Sequence, residues 1–239
     1  MLTATRLGLS MTALQFAIGA LNDIVDLPAD REHVPPKPIP TGLVSLQEAR
    51  VAAVTAAVVG LTIAAMNGPV VGGLAVIVLA IGAAYDVFAK GTPWSWVPFA
   101  VGIPVLPIYG WVGATGGLHP AFAALIPMAV LAGAALAIAN ARADLDTDLA
   151  AGTRSVATAL GRRASMRVNV GLLVAATLIG LAAGPPTAWA PWEGALIIPF
   201  TAGALGLTRA TSATQRAGWQ LQAICVAIAG VGWVGALLA

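Results

Sequence analysis

Two short segments of the chain carry residue types at a spacing that suits cation binding. Both read N-x3-D-x3-D, the first as Asn22, Asp26 and Asp30 and the second as Asn140, Asp144 and Asp148. With Asp23 and Asp146, the two segments hold six of the ten acidic residues of the protein. Clustered carboxylates repel one another unless cations neutralise them. The concentration of acids therefore indicates a binding site for positive charge.

The donor atoms of both segments are oxygens, which favours a hard cation. Mg²⁺ is typically held by one or two carboxylates together with substrate phosphates and water. Two segments therefore predict two Mg²⁺ ions that bridge a diphosphate, with Lys37, Lys90 and Arg154 as candidates to balance the remaining phosphate charge. The alternative is an ordinary solvated loop, which explains one D-x3-D segment better than two copies that each begin with Asn.

The composition of the chain is that of a membrane protein. Of its 239 residues, 59% are hydrophobic and 9% are charged, whereas a soluble domain normally carries about 25% charged residues. The formal charge of +2 is too small to indicate nucleic acid as a partner. Runs of about 20 apolar residues can span a bilayer as helices. We therefore expect an all-α polytopic transmembrane bundle of about eight helices, at 3–22, 46–67, 70–88, 95–113, 119–140, 165–184, 190–208 and 217–238.

The basic residues orient this bundle in the membrane. With those eight crossings, eleven of the twelve Lys and Arg residues fall on one face, which the positive-inside rule makes cytoplasmic. That face also carries both acidic segments, in the long connections 23–45 and 141–164. We expect a single transmembrane domain, residues 1–239, in the cell membrane, with its acidic segments on the cytoplasmic side.

Helix geometry predicts how the acidic side chains are arranged. Positions i, i+4 and i+8 lie along one stripe of an α-helix, about 12 Å long, so the three residues of the second segment should share one face at the end of the fifth helix. In the first segment, Pro28 disfavours helical angles at the residue before it. Asn22 and Asp26 should therefore share a helical face, whereas Asp30 should lie on a kinked or non-helical continuation.

Four elements of the sequence follow one another in a recognisable order. They are Asn22-Asp23-x2-Asp26-x3-Asp30, Lys37-Pro38-Ile39-Pro40-Thr41-Gly42, Tyr85-Asp86-x3-Lys90, and Asn140-x3-Asp144-x3-Asp148 followed by Gly152-Thr153. Together they resemble the signatures of the UbiA superfamily of intramembrane prenyltransferases, and the resemblance runs across essentially the whole chain. It implies Mg²⁺-dependent transfer of a prenyl group from a prenyl diphosphate to a lipophilic acceptor, commonly an aromatic one.

The resemblance also implies a role for each matching residue. One Mg²⁺ ion would be held by Asn22, Asp23, Asp26 and Asp30, and a second by Asn140, Asp144 and Asp148. The diphosphate would be contacted by Lys37, Lys90, Arg154 and Tyr85, and the catalytic residues would be Asp26, Asp144 and Lys90. The leaving diphosphate would be stabilised by Mg²⁺ and basic groups, and the acceptor would attack the resulting allylic cation.

Two departures from the family pattern lead to further expectations. The family usually has nine helices, one of them ahead of the first motif, whereas only 21 residues precede Asn22. We therefore expect either a start farther upstream or a bundle that lacks the usual first helix. Ala141 stands where some members have an Asp, so either Asp146 compensates or the second Mg²⁺ site is weaker.

Other functions are compatible with parts of the sequence. A catalytically silent member of the family would keep the same motifs. A cation-coupled transporter would carry acids deep inside its helices and inverted repeats, whereas the acids here collect at one predicted face. For the enzyme, a quinone precursor or another aromatic acceptor is the leading expectation, with a glycerol phosphate ether lipid, a chlorin or haem, or a sugar phosphate as alternatives.

Overall fold

The computed structural model of the chain describes residues 2–32, 36–183, 203–208 and 212–238. Its helices are α1 (Leu2–Val25), α2 (Leu46–Ala65), α3 (Pro69–Ala84), α4 (Val97–Thr115), α5 (Phe122–Ala143), α6 (Leu145–Ala151), α7 (Val156–Ala183) and α8 (Ser212–Gly235). Within these ranges there is no strand, and each of these eight helices except α6 is long and apolar enough to cross a membrane, α3 when its continuation to Ala89 is included. The predicted all-α membrane bundle is confirmed, and most of the expected helix at 190–208 lies outside the described residues.

One helix boundary differs clearly from the prediction. α7 begins at Val156, whereas the sequence predicted a start at 165, because Arg162 and Arg163 were assigned to the preceding connection. The helix reaches back through these charges across a kink at Gly161, whose φ of 79° lies in the left-handed region that glycine favours. α7 therefore starts with a short segment, residues 156–160, and Arg162 and Arg163 begin the longer segment that follows the kink.

The chain divides into two compact units. The first comprises Met1–Phe88 and Ile108–Leu118, and the second comprises Ala89–Pro107 and His119–Ala239. α4 contributes residues to both, and it contains Pro104 and Pro107 close to the point of division. The first acidic motif belongs to the first unit and the second acidic motif to the second unit.

In the first unit, α1 packs against glycines of three neighbouring helices. A Cβ at any of these glycines would lie 2.5 to 2.8 Å from the nearest atom of an α1 side chain, in the pairs Leu7 with Gly113, Leu14 with Gly60, and Ile18 with Gly82. Small residues allow close helix approach in membranes, where apolar side chains gain little by leaving lipid. Ser10 adds a hydrogen bond of 2.7 Å to the carbonyl of Gly60. These contacts hold the helix that ends in the first motif.

In the second unit, buried amides tie α7 and α8 to α5. The side-chain amides of Asn169 and Gln222 exchange two hydrogen bonds of 3.1 Å, and Asn169 also donates to the carbonyl of Ala135 over 2.8 Å. Both amides are fully buried, so their polar atoms need these partners in a membrane interior. The contacts fix the helices around α5, which ends in the second motif.

Candidate functional site

The first acidic motif lies where α1 ends. Although α1 ends at Val25, the N–H of Asp26 still donates to the carbonyl of Asn22 over 2.9 Å. Pro28 then interrupts the α-helix, and a 3-10 turn follows at Asp30–Glu32. The predicted arrangement is therefore found: Asn22 and Asp26 are one helical turn apart, and Asp30 lies on a non-α continuation.

One lysine bridges two carboxylates of this motif. The Nζ atom of Lys37 lies 2.7 Å from an Asp30 oxygen and 3.0 Å from an Asp23 oxygen. Asp30 is the more enclosed acid, with 8% of its side chain exposed against 43% for Asp23. Burial alone would lower the pKa of Lys37, but its hydrogen bonds to Asp30 and Asp23 and their negative charges outweigh burial and raise this pKa. Lys37 is therefore protonated at neutral pH, and its ammonium group lies between two acids of the first motif.

An acid outside the first motif contacts it. The Nδ2 atom of Asn22 donates to Oδ1 of Asp86 over 2.8 Å, and Asp86 is 5% exposed. Asp86 lies in a π-helical turn, Tyr85–Ala89, that continues α3. The sequence prediction did not assign Asp86 to the site. The available signal was a lone carboxylate at the end of a long apolar run, which in a membrane protein indicates a function or a partner.

The residues of the predicted Y-x4-K element start in the same turn. Tyr85 is half-buried and belongs to the first unit, and Lys90 is exposed and belongs to the second. π-helical turns inside α-helices occur frequently at functional sites. Within this turn the Asp86 side chain is buried, whereas Val87 and Phe88 are 52% and 76% exposed.

The second acidic motif begins on α5 and continues on α6. Asn140 lies in the last turn of α5, and Asp144 stands between the two helices with φ −108° and ψ 6°. The N–H of Asp148 donates to the carbonyl of Asp144 over 2.8 Å. The prediction of one continuous helical stripe is therefore wrong at Asp144, where the helix is interrupted, although Asp144 and Asp148 keep the spacing of one turn.

Two arginines from other helices pair with the acids of this motif. Arg216 of α8 lies 3.0 Å from an Asp144 oxygen, and Arg162 of α7 contacts Asp146. All four side chains are about half exposed. Exposed ion pairs contribute about 0–1 kcal/mol to stability, so these contacts leave Asp144 and Asp146 accessible to other cations.

Asp148, the last acid of the motif, is partly buried. Burial raises the pKa of Asp148, a hydrogen bond from Ser155 opposes the rise, and the negative charge of Asp144 adds to it. A cation that binds this carboxylate would relieve both unfavourable effects. Arg154, one of the predicted diphosphate contacts, is exposed in the connection between α6 and α7.

A buried arginine lies under the second motif. Arg142 is 5% exposed, and its guanidinium donates to the carbonyl of Arg162, to the Ser165 hydroxyl over 2.7 Å and to the carbonyl of Leu207 over 3.1 Å. Since these acceptors belong to the α7 kink and to residues 203–208, Arg142 anchors the end of α5 to both. The sequence prediction placed Arg142 only among the charges of a connection, and an Arg between alanines in a helical run was the signal for a buried position.

The residues of both motifs fit Mg²⁺ in kind. Among the described residues, no three His, Cys, Asp or Glu side chains converge closely enough to hold an ion by themselves. Mg²⁺ ordinarily takes one or two carboxylates and completes its shell with substrate phosphates and water. The Lys37 ammonium already bridges two carboxylates of the first motif. The donor set therefore suits an ion that binds together with a phosphorylated ligand.

Comparison with known proteins gives a consistent family. The sequence model of the UbiA prenyltransferase family matches residues 2–237. The chain is also similar to a protein of Natronomonas pharaonis named digeranylgeranylglyceryl phosphate synthase, with 32% identity over 162 residues. That alignment covers 66% of this chain and 57% of the relative, so the match spans little more than half of the relative's length.

Solved structures share the fold. A UbiA homolog from Aeropyrum pernix K1 is similar with a TM-score of 0.72 and 20% identity, over 95% of this chain and 90% of that chain. A UbiA homolog from Archaeoglobus fulgidus bound to GPP and Mg²⁺ is similar with a TM-score of 0.70 and 19% identity, over 98% of this chain and 88% of that chain. At these identities the likeness shows the fold.

Proposed function

The chain belongs to the UbiA prenyltransferase family, and we propose that it transfers a prenyl group from a prenyl diphosphate to a lipophilic acceptor within the membrane, with Mg²⁺ as cofactor. The observation that carries this proposal is the position of both acidic motifs at the ends of membrane-spanning helices, each with basic side chains on its carboxylates. An apolar prenyl chain and a charged diphosphate need such a boundary. The proposed catalytic domain is the whole chain, residues 1–239.

The two motifs have parallel roles in this proposal. One Mg²⁺ ion is assigned to Asn22, Asp23, Asp26 and Asp30, and a second ion to Asn140, Asp144 and Asp148. When bound, Mg²⁺ neutralises the developing charge of the leaving diphosphate. Asp26 and Asp144 are the acids on which binding of the diphosphate depends most.

The basic residues and Tyr85 contact the diphosphate itself. Lys37 is held by Asp23 and Asp30, and its flexible side chain can exchange one carboxylate for a phosphate oxygen. We assign the same kind of contact to Lys90, Arg154 and Tyr85. Lys90 donates to the leaving group as the carbon–oxygen bond breaks, and its charge favours that step.

The reaction follows from these roles. The bond between the allylic carbon and the diphosphate oxygen breaks, and its electron pair leaves with the diphosphate. A nucleophilic carbon or oxygen of the acceptor then forms a bond to the allylic carbon and loses a proton. Exclusion of water by the apolar helices protects the cation from hydrolysis.

Two classes of acceptor are candidates, and an assay can distinguish between them. An aromatic quinone precursor follows from the family resemblance. The name of the Natronomonas relative points instead to an ether lipid, because digeranylgeranylglyceryl phosphate as a product requires a singly prenylated glyceryl phosphate as acceptor.

The charge distribution of the sequence supports a cell-membrane enzyme with both motifs on the cytoplasmic side.

The test is a prenyl-transfer assay on the protein in liposomes. Labelled dimethylallyl, geranyl and geranylgeranyl diphosphates are offered with Mg²⁺ and acceptors of both classes. We expect a Mg²⁺-dependent product that is lost in Asp26→Ala and in Asp144→Ala, by about 100-fold or more. Glu48→Gln removes an exposed carboxylate from the capping box of α2 and serves as the matched control with full activity.

The same assay can overturn the proposal. If purified wild-type protein binds a prenyl diphosphate with Mg²⁺ but forms no product with any acceptor, the chain is a silent member of the family. If no prenyl diphosphate binds in the presence of Mg²⁺, the assignment of both motifs is wrong.

A further inference from the structure

The hydrogen bond between Asn22 and Asp86 fixes the orientation of the Asn22 side-chain amide. Nδ2 of Asn22 donates to Oδ1 of Asp86 over 2.8 Å. A carboxylate at neutral pH only accepts hydrogen bonds, so it selects the nitrogen end of the amide and rejects the oxygen end. Within the described residues, no hydrogen bond reaches the amide oxygen of Asn22. That oxygen is the only atom of the side chain that can coordinate a hard cation.

We propose that Asp86 is a positioning residue for the first motif, which holds the Asn22 amide with its oxygen available to the Mg²⁺ ion. The inference rests on the proposed function, since it assigns Asn22 to the ion. It adds a residue that is not itself in the N-x3-D-x3-D motif. Partners that orient metal ligands in this way commonly affect metal affinity by about 10- to 100-fold.

The packing of α1 on α3 supports this geometry. Ile18 and Gly82 lie one turn before Asn22 and Asp86, and a Cβ at Gly82 would lie 2.6 Å from the Ile18 side chain. The close approach of the two helices at Gly82 therefore continues directly into the hydrogen bond. Because this part of the interface leaves no room for a larger side chain, the distance between positions 22 and 86 is set by the backbones.

The environment of Asp86 also favours a lasting contact. Asp86 is 5% exposed, whereas Val87 and Phe88 in the same turn are 52% and 76% exposed. An inserted residue in a helix rotates the subsequent residues by about 100°, so the π-helical turn sets which side chain faces α1. An enclosed carboxylate needs hydrogen-bond donors, and the Asn22 amide is one of them.

The test measures ion binding without turnover. Purified protein in detergent is mixed with Mn²⁺ as the probe ion and an unreactive geranyl thiodiphosphate, and free Mn²⁺ is quantified by electron paramagnetic resonance. We expect Asp86→Ala to raise the Mn²⁺ dissociation constant about tenfold or more. The matched control is Ser10→Ala, which removes another α1 hydrogen bond, to Gly60, and should lower the melting temperature while Mn²⁺ affinity stays within twofold of wild type.

A double variant separates positioning from direct coordination. In N22D/D86N the pair is reversed, so the amide nitrogen of residue 86 donates to the carboxylate of residue 22, whose second oxygen remains for the ion. We expect this variant to recover Mn²⁺ affinity to within about threefold of wild type, well above Asn22→Asp or Asp86→Asn alone. Such recovery supports positioning, because the carboxylate has left position 86.

Three outcomes count against the proposal. Unchanged Mn²⁺ affinity in Asp86→Ala, with a lower melting temperature as in Ser10→Ala, would show that the hydrogen bond serves stability alone. A folded N22D/D86N protein that binds Mn²⁺ as weakly as Asp86→Ala would show that the position 86 carboxylate itself coordinates. If wild-type protein binds no Mn²⁺ with the diphosphate analogue, the proposed function fails first, and this inference fails with it.

Discussion

The two acidic motifs balance their negative charge in different ways. In the first, one ammonium serves two acids, because Lys37 reaches both Asp30 and Asp23. In the second, arginines of α7 and α8 each pair with one acid, and both pairs are about half exposed. The strongest attachment of the second motif is instead the buried Arg142, whose partners are two carbonyls and a hydroxyl.

This difference shows that similar motifs can be supported by different physical means. The first motif depends on electrostatic contacts between side chains, in which a flexible lysine can change partners when a phosphate arrives. The second motif depends on the anchoring of its backbone, and its surface arginines contribute little. Loss of the supporting basic residue should therefore affect substrate binding in the first motif, at Lys37, and folding in the second, at Arg142.

The largest expected effect is on the stability of the second unit. Arg142→Ala removes hydrogen bonds from a charged donor to three acceptors, and such bonds are each worth about 1.5–3 kcal/mol. We expect a marked fall in the melting temperature of the detergent-solubilised protein, measured by tryptophan fluorescence. Arg142→Lys should recover part of it. If Arg142→Ala melts like wild type, backbone anchoring does not distinguish the two motifs.

Loss of the lysine in the first motif should change binding rather than stability. We expect Lys37→Met to raise the KM for prenyl diphosphate about tenfold, because a charged hydrogen bond to phosphate is lost. The Mg²⁺ concentration for half-maximal rate should not rise, since a competing cation has left Asp23 and Asp30. Steady-state kinetics at varied Mg²⁺ measure both quantities, and an unchanged KM would contradict the assigned role.

The two motifs should depend on pH in different ways, the second through Mg²⁺ affinity at low pH and the first through stability at high pH. The raised pKa of Asp148 means that the folded protein holds the proton of this carboxyl group to higher pH than the unfolded chain does. Mg²⁺ must displace that proton, so its affinity should fall as the pH is lowered through the raised pKa, and Asp148→Asn should remove this step.

The raised pKa of Lys37 gives stability that is present below its ordinary value and is lost as the pH rises through the raised one. Mg²⁺ titrations and melting curves across pH test both signs.

The smallest effects are expected for the exposed arginines. Arg162→Gln and Arg216→Gln each break an ion pair whose partners are about half exposed, and such pairs contribute about 0–1 kcal/mol. We therefore expect each variant to lower the free energy of unfolding by about 1 kcal/mol or less, measured from its melting curve. The KM for prenyl diphosphate should change less than about fivefold. A tenfold loss of activity in Arg216→Gln would mean that this arginine contacts the substrate.

The spanning helices were predictable because the membrane imposes a strong signal on the sequence. Each helix must satisfy its own backbone in lipid, so long apolar runs mark the helices with few alternatives. The exception, the start of α7, was missed because helix and connection are equally compatible with charged residues such as Arg162 and Arg163. Residues 156–160 are mostly apolar, but these charges and the glycine kink separate them from the long apolar run that marks the helix.

The local geometry of the first motif was predictable from the sequence, whereas the contacts that support the two motifs were not. The spacing of the acids and the interruption at Pro28 gave the correct form of the first motif. Asp86 and Arg142 were missed as supports because their partners are distant in sequence: Asp86 contacts Asn22, and Arg142 contacts Leu207. A single sequence contains no record of such pairs. The interruption at Asp144 was missed because Asp is compatible with both a helix interior and a helix end.

The three glycine contacts of α1 limit how the first motif can respond to a ligand. Leu7, Leu14 and Ile18 are each fitted against a glycine of another helix, and at about 1.5 Å per residue they secure some 16 Å of the helix axis. α1 can therefore neither shift along its axis nor rotate about it without disrupting all three contacts at once. The depth of Asn22 is thereby fixed in advance, and adaptation to an ion is left to the side chains and to residues 26–32.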